Sequence, residues 1–178
     1  MGMGLSIIMG NMFSGKTSEL IRRLKRLKVI GKKILVVNSS KDTRCPDEVL
    51  KTHDNVKFNC YKTYDLFDLM DVDEFYDADI IAIDEAQFFP RLKKFVECCL
   101  LNEKDIIIAG LDADSFQRKF GELIDCIPIA CDVTKLSALC MKCNDGTPGP
   151  FTKRTVDDTC LELIGGSDKY VAVCRNHL

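Results

Sequence analysis

Gly10-Asn11-Met12-Phe13-Ser14-Gly15-Lys16-Thr17 follows the apolar run Leu5-Ser6-Ile7-Ile8-Met9 and precedes a basic amphipathic stretch, Ser18 to Ile30. The run matches G-x-x-x-x-G-K-[ST], the pattern of a phosphate-binding loop. Its flanks read as a buried strand before and a helix after, which is the context the pattern needs. A glycine-rich turn with a chance lysine would show the letters without those flanks. Glycines let backbone N–H groups converge on phosphate oxygens, and a helix N-terminus adds partial positive charge. Gly10, Asn11, Met12, Phe13, Ser14, Gly15, Lys16, Thr17 and Ser18 are therefore the expected nucleotide phosphate site. Lys16 is expected to reach the β- and γ-phosphates, and the Thr17 hydroxyl to sit on Mg²⁺.

Outward from this loop the chain reads as alternating strands and helices. From Glu19 to Ile30, Leu20, Ile21, Leu24 and Leu27 recur at helical spacing, and Gly31 ends the helix. Arg22, Arg23, Lys25, Arg26 and Lys28 fill the remaining positions and read as a solvated face. Ile34–Val37, Ile80–Ile83 and Ile106–Ala109 are continuous apolar runs, hence buried strands. Val56–Tyr61 alternates and predicts a half-exposed strand; Val133–Leu136 closes the set. Asp65–Phe75 and Arg91–Leu101 predict helices, and Thr147-Pro148-Gly149-Pro150 a loop. The pattern implies an α/β fold: a P-loop NTPase-type parallel sheet flanked by helices on both faces. Ligands in such sheets bind outside the carboxyl ends of the strands.

Composition narrows the function. The chain has 178 residues, 46% of them hydrophobic, enough for one domain with a small appendage. A net charge of −2 gives no footprint for nucleic acid. No apolar run spans a membrane and no signal-peptide pattern opens the chain, so a soluble, cytoplasmic protein is expected. Ten cysteines in an intracellular chain point to thiols and metal ligands rather than disulfides.

Two further constellations carry chemistry. The strand Ile80–Ile83 runs into Asp84 and Glu85. A P-loop enzyme needs an acid at such a strand end to help hold Mg²⁺, and Asp84 fits. Glu85, one residue on, suits a general base facing a substrate hydroxyl. Cys140-Met141-Lys142-Cys143 and Cys174-Arg175-Asn176-His177 are two knuckles with the spacing of a closed structural Zn²⁺ site. Cys140, Cys143, Cys174 and His177 are its expected ligands, and metal would supply folding free energy to a region poor in apolar residues. A redox C-x-x-C would need a thioredoxin-like context, which is missing. Cysteines 45, 60, 98, 99, 126, 131 and 160 are left as core fillers or spare thiols. The expected division is 1–138 for the α/β domain and 139–178 for the metal-bearing subdomain.

Taken together, Gly10–Thr17, Lys41–Arg44, Asp84-Glu85-Ala86-Gln87-Phe88-Phe89, Thr152-Lys153-Arg154 and Ile164–Tyr170 leading into Cys174 resemble the type II thymidine kinases, the cellular and poxviral class. The resemblance covers nearly the whole chain. It implies transfer of the γ-phosphoryl group of ATP to the 5′-hydroxyl of thymidine, with Glu85 as base and Lys16, Mg²⁺ and Arg44 supplying positive charge. Asp42 would take a sugar hydroxyl. The family holds thymine by main-chain groups of a lasso loop, here about 151–166, so Leu163, Ile164, Gly165 and Gly166 would bind substrate. Gln87 would join them, and Met12, Phe88, Leu111, Phe116, Phe120 and Tyr170 would wall in the base. The resemblance further implies a homotetramer and end-product inhibition by thymidine triphosphate. The family commonly has a proline just before the match to Phe120; here Lys119 stands there, and Phe116–Lys119 is shifted by one residue. His177 replaces a fourth cysteine, which zinc accepts. With Leu178 the last residue of the sequence, no regulatory tail is expected.

Two other functions fit a phosphate loop: a zinc-ribbon ATPase acting on nucleic acid, and a non-catalytic nucleotide sensor. The acidic charge balance opposes the first; intact Lys16, Thr17, Asp84 and Glu85 oppose the second.

Overall fold

The computed structural model describes residues 4–42, 49–51, 57–156 and 168–178. Its centre is a six-stranded sheet in which every pairing is parallel. The strands are β1 (Leu5–Gly10), β2 (Ile34–Ser39), β5 (Tyr61–Thr63), β6 (Ile80–Ile83), β7 (Asp105–Gly110) and β8 (Asp132–Leu136), in the order β5-β2-β6-β7-β1-β8. A short hairpin, β3 (Val49–Lys51) with β4 (Lys57–Asn59), stands outside this sheet.

Strand alternation divides the apolar runs between two faces. Leu5, Ile7, Ile81, Ile83, Ile106 and Ile108 point to one side. Helix α3 (Leu92–Leu101), the short helix α2 (Asp73–Asp77) and the 3₁₀ segments Leu66–Asp71 and Ile124–Ile129 cover that side. Ile8, Val36, Ile80, Ala82, Ile107 and Ala109 point to the other, where α1 (Lys16–Val29) lays down Leu20, Ile21 and Leu24. With both faces covered, uniformly apolar strands are what burial demands. The basic positions of α1 lie outward: Arg22 and Arg23 both pair with Glu19, and Arg23 also reaches Asp132. The chain leaves β1 toward β2 on one side and returns to β8 on the other, so the crevice at the carboxyl end of β1 is the topological switch point.

Three sequence expectations are corrected. The single strand over Val56–Tyr61 is two: Lys57–Asn59 pairs antiparallel with β3, and Tyr61–Thr63 joins the main sheet beside β2. The helix over Asp65–Phe75 is a 3₁₀ segment and one short α-turn, broken at Val72, whose backbone is extended. Asp65 caps the first piece by accepting the Phe67 N–H at 3.0 Å. The loop at Thr147–Pro150 contains β10 (Pro148–Gly149), paired with β9 (Ala138–Leu139). A second ribbon, β11 (Phe151–Arg154) with β12 (Tyr170–Val173), completes the C-terminal part. No helix among the described residues is long and apolar enough to cross a membrane.

Candidate active site and metal centre

The phosphate loop and the Asp84-Glu85 pair lie at the carboxyl edge of the sheet, directly after β1 and β6. Gly10 ends β1, Asn11–Ser14 form the loop, and Gly15 caps α1, its carbonyl accepting the Glu19 N–H at 2.9 Å. Lys16 is buried, and its Nζ donates to the Asn11 carbonyl at 2.7 Å. Ser14 Oγ donates to the same carbonyl at 2.8 Å, which shapes the loop from within. Phe13 and Ser18 face solvent.

Across from the loop, β6 delivers Asp84 and Glu85. The Thr17 hydroxyl donates to Asp84 Oδ2 at 2.8 Å, bringing together the two residues expected around Mg²⁺. Burial first, and then the Glu85 carboxylate, push Asp84 up to about 7, against the Thr17 hydroxyl and the Lys16 charge. A buried acid raised in this way, beside a hydroxyl oxygen, is a fit partner for a hard cation that takes oxygen ligands.

Glu85 turns sharply, with φ 51°, and opens the 3₁₀ segment Ala86–Phe88. Its Oε2 accepts from Gln87 Nε2 at 2.5 Å, and Gln87 Oε1 accepts the Leu111 N–H at 2.9 Å. One amide thus ties the end of β6 to the end of β7. Gln87, expected at the substrate, has its carbonyl and one amide hydrogen engaged with protein. Asp42 is buried just beyond β2, where Asn38 Nδ2 donates to its Oδ2 at 3.3 Å.

The expected base-walling residues gather in part. Phe88 and Phe120 meet edge to face at 5.6 Å. The Arg154 guanidinium lies against both the Tyr170 ring, at 5.5 Å, and the Phe116 ring, at 6.0 Å. Phe116 is 49% exposed and lies beneath the Arg118 guanidinium, whereas Phe120 is buried. Asp114 sets that loop by accepting the N–H groups of Phe116 and Arg118. Met12, Phe88 and Leu111 are half-buried. Arg44, Leu163, Ile164, Gly165 and Gly166 lie outside the described residues, as do Cys45 and Cys160.

The candidate metal ligands converge from two distant knuckles. Their ligand atoms all lie within 4.8 Å of one another. His177 Nδ1 is 3.6, 3.5 and 3.3 Å from the sulfurs of Cys140, Cys143 and Cys174, and the last two sulfurs are 3.7 Å apart. A tetrahedral zinc with ordinary bond lengths sets its sulfurs about 3.8 Å apart and sulfur to nitrogen about 3.6 Å, so the set fits. Burial raises the Cys140 thiol, yet the N–H groups of Cys143, Cys174 and Lys142 and the His177 ring hold it down to about 6. Burial and the neighbouring sulfurs push Cys143 up to about 11, a repulsion that a cation would reverse. Elsewhere Cys99 and Cys126 are pushed up to about 12, burial leading, as inert core thiols.

Asn38, missed by the sequence reading, and Asn11 and Thr152, read only as members of their motifs, hold these groups in place. Asn38 supports Asp42, Thr152 Oγ1 accepts the Met12 N–H at 3.0 Å, and the Asn11 side chain points away from the loop toward the C-terminal strands. The partners of Asn11 and Thr152 are distant in the chain, and Asn38, four residues from Asp42, belongs to no motif.

A profile of the family described as "Thymidine kinase" matches residues 3–178. The chain is 45% identical over 177 residues to "Thymidine kinase a" of Arabidopsis thaliana, covering 96% of this chain and 73% of that one. It is 44% identical to "Thymidine kinase 1" of Dictyostelium discoideum, covering 96% and 75% of the two chains. It is also 44% identical to "Thymidine kinase" of Myxoma virus (strain Uriarra), covering 96% and 93%.

Proposed function

This chain belongs to the thymidine kinase family, and we propose that its phosphate loop and the Asp84-Glu85 strand end carry transfer of the ATP γ-phosphoryl group to the thymidine 5′-hydroxyl. The observation that carries this division of roles is the 2.8 Å contact of Thr17 with Asp84, next to a Glu85 held by Gln87 at 2.5 Å. Phosphoryl transfer asks mainly for positioning and charge neutralisation. Lys16 leaves the Asn11 carbonyl and meets the β/γ-phosphates. Thr17 and Asp84 hold Mg²⁺, which when bound neutralises the phosphate oxygens. Glu85 accepts the 5′-hydroxyl proton, and Gln87 orients it. Arg44 adds positive charge and Asp42 takes a sugar hydroxyl.

Met12, Phe88, Leu111, Phe116, Phe120 and Tyr170 form the base slot, closed by Leu163–Gly166. Cys140, Cys143, Cys174 and His177 hold Zn²⁺, which when bound supplies folding free energy to the segment 139–178. Thymidine triphosphate would occupy base slot and phosphate loop together, inhibiting competitively against both substrates. The resemblance to the family supports extending this to a cytoplasmic homotetramer.

The test is phosphoryl transfer from ATP–Mg²⁺ to each of the four deoxynucleosides, with zinc assayed on the same preparation. The expected result is transfer to thymidine well above the others, with about one zinc per chain. Absence of transfer from zinc-replete protein would overturn the proposal.

A further inference from the structure

Both strand pairs of the C-terminal segment touch the phosphate loop, and each runs directly into a metal knuckle. Asn11, 3% exposed, donates through Nδ2 to the Gly149 carbonyl at 2.9 Å and accepts the Ala138 N–H on Oδ1 at 3.2 Å. Its amide therefore bridges β9 and β10. Its own carbonyl faces the other way and holds Lys16 and Ser14. Ala138 stands two residues before Cys140. The Gly149 backbone lies so close to the knuckle that a Cβ there would sit 2.8 Å from both Cα and N of Cys140.

The second path runs beside the first. Thr152 accepts the Met12 N–H and pairs with Ala172 in the β11–β12 ribbon. Val173 ends β12, and Cys174 follows it. The paths join where the Met141 N–H donates to the Ala172 carbonyl at 2.9 Å. Two consecutive loop residues are thus anchored, one to each knuckle's supporting strands.

We propose that Asn11 and Thr152 are positioning residues that couple the metal centre to the phosphate loop, so that metal and nucleotide each strengthen the other's binding. This rests on the nucleotide and metal sites proposed above. Metal pins Cys140 to Cys174, and that fixes Gly149, Ala138 and Thr152 as a cradle for Asn11 and Met12. A phosphate loop whose N–H groups are already aimed loses less freedom on binding. Coupling between two sites is reciprocal, so saturating nucleotide must tighten metal by the factor by which metal tightens nucleotide.

The experiment is equilibrium competition for zinc between the full chain and a chromophoric chelator, with and without saturating ADP and Mg²⁺. The wild-type protein is expected to hold zinc about 5–20-fold more tightly with ADP. In the Asn11→Leu, Thr152→Val double variant the factor is expected to fall within about twofold of unity, and Thr152→Ser is expected to retain it. General stabilisation of the fold by ADP would tighten zinc equally in all three, and that result overturns the proposal. Where the double variant fails to fold, hydrogen exchange of the wild-type chain decides. Chelation should increase exchange in a peptide spanning the phosphate loop and leave β6 protected; an unchanged loop overturns the coupling. A wild-type protein that binds ADP and zinc without coupling overturns this proposal alone, whereas failure to bind either overturns the site assignment as well.

Discussion

Replacing Gln87 with methionine keeps the side-chain length and removes both ends of its amide. Gln87 is 3% exposed, so water cannot substitute for what is lost. The Glu85 carboxylate loses its 2.5 Å donor, and the Leu111 N–H loses its 2.9 Å acceptor. A hydrogen bond to a charged group contributes about 1.5–3 kcal/mol, and an orphaned buried donor costs about 1–3 kcal/mol. Leu111 is half-buried, which places its share near the lower end. The sum is about 2.5–4 kcal/mol, or a fall in Tm of roughly 10 °C for a chain of this size. Catalysis should suffer separately, because a base released from its orienting donor spends less time in reach of the hydroxyl. A misplacement on the order of 1 Å costs about 100-fold, so kcat should fall about 10–100-fold with the KM for ATP nearly constant. Differential scanning calorimetry and steady-state kinetics on one preparation read both effects. A Tm within about 2 °C of wild type, together with unchanged kcat, would refute the role of the Gln87 bridge.

Gly121 has φ +64°, and a Cβ there would lie 2.3 Å from the Gln87 carbonyl. Gly121→Ala should therefore destabilise by about 2–4 kcal/mol in urea unfolding, with no effect as the contrary result. Cys174→Ser removes one of the four proposed metal ligands; zinc per chain should fall below about one half and Tm should drop, and full zinc content would contradict the assignment. The Arg22 hydrogen bond, opposed by burial and joined by Arg23, holds Glu19 down to about 2. A lowered carboxylate stabilises above its unfolded pKa, near 4.5, and that contribution disappears as pH falls through about 2. After solvent screening, Glu19→Gln should cost about 1 kcal/mol at neutral pH, with the gap to wild type closing in acid. A gap that widened in acid would contradict the pairing.

The central strands were legible because burial on both faces leaves only one kind of sequence, a continuous apolar run, as in Ile80–Ile83 and Ile106–Ala109. Edges were less legible. Alternation over Val56–Tyr61 looks the same whether one strand continues or two meet, and only the pairing partners separate them. Leu66, Leu69 and Phe75 mimic an α-helical stripe, yet a spacing of three serves a 3₁₀ segment equally well. Pro148-Gly149 reads as a turn, but two residues suffice to pair with Ala138-Leu139.

The same contrast holds in the site. Lys16, Thr17, Asp84 and the four candidate metal ligands stand out in the sequence because they lie in short contiguous motifs. Asn11 was readable only as a member of the loop, because its motif admits any residue there and its partners lie 127 and 138 positions away. Gln87 was expected at the substrate from resemblance alone; its two protein contacts depend on how β6 and β7 end side by side.

The measurement that bears most directly on the account is single-turnover phosphoryl transfer by Glu85→Gln, with thymidine and ADP binding determined on the same protein. With Glu85 as the base, the transfer rate should fall about 100- to 10,000-fold, the range that general-base catalysis supplies, with both affinities within a few-fold of wild type. Transfer at the wild-type rate would contradict the assignment of Glu85 as the base.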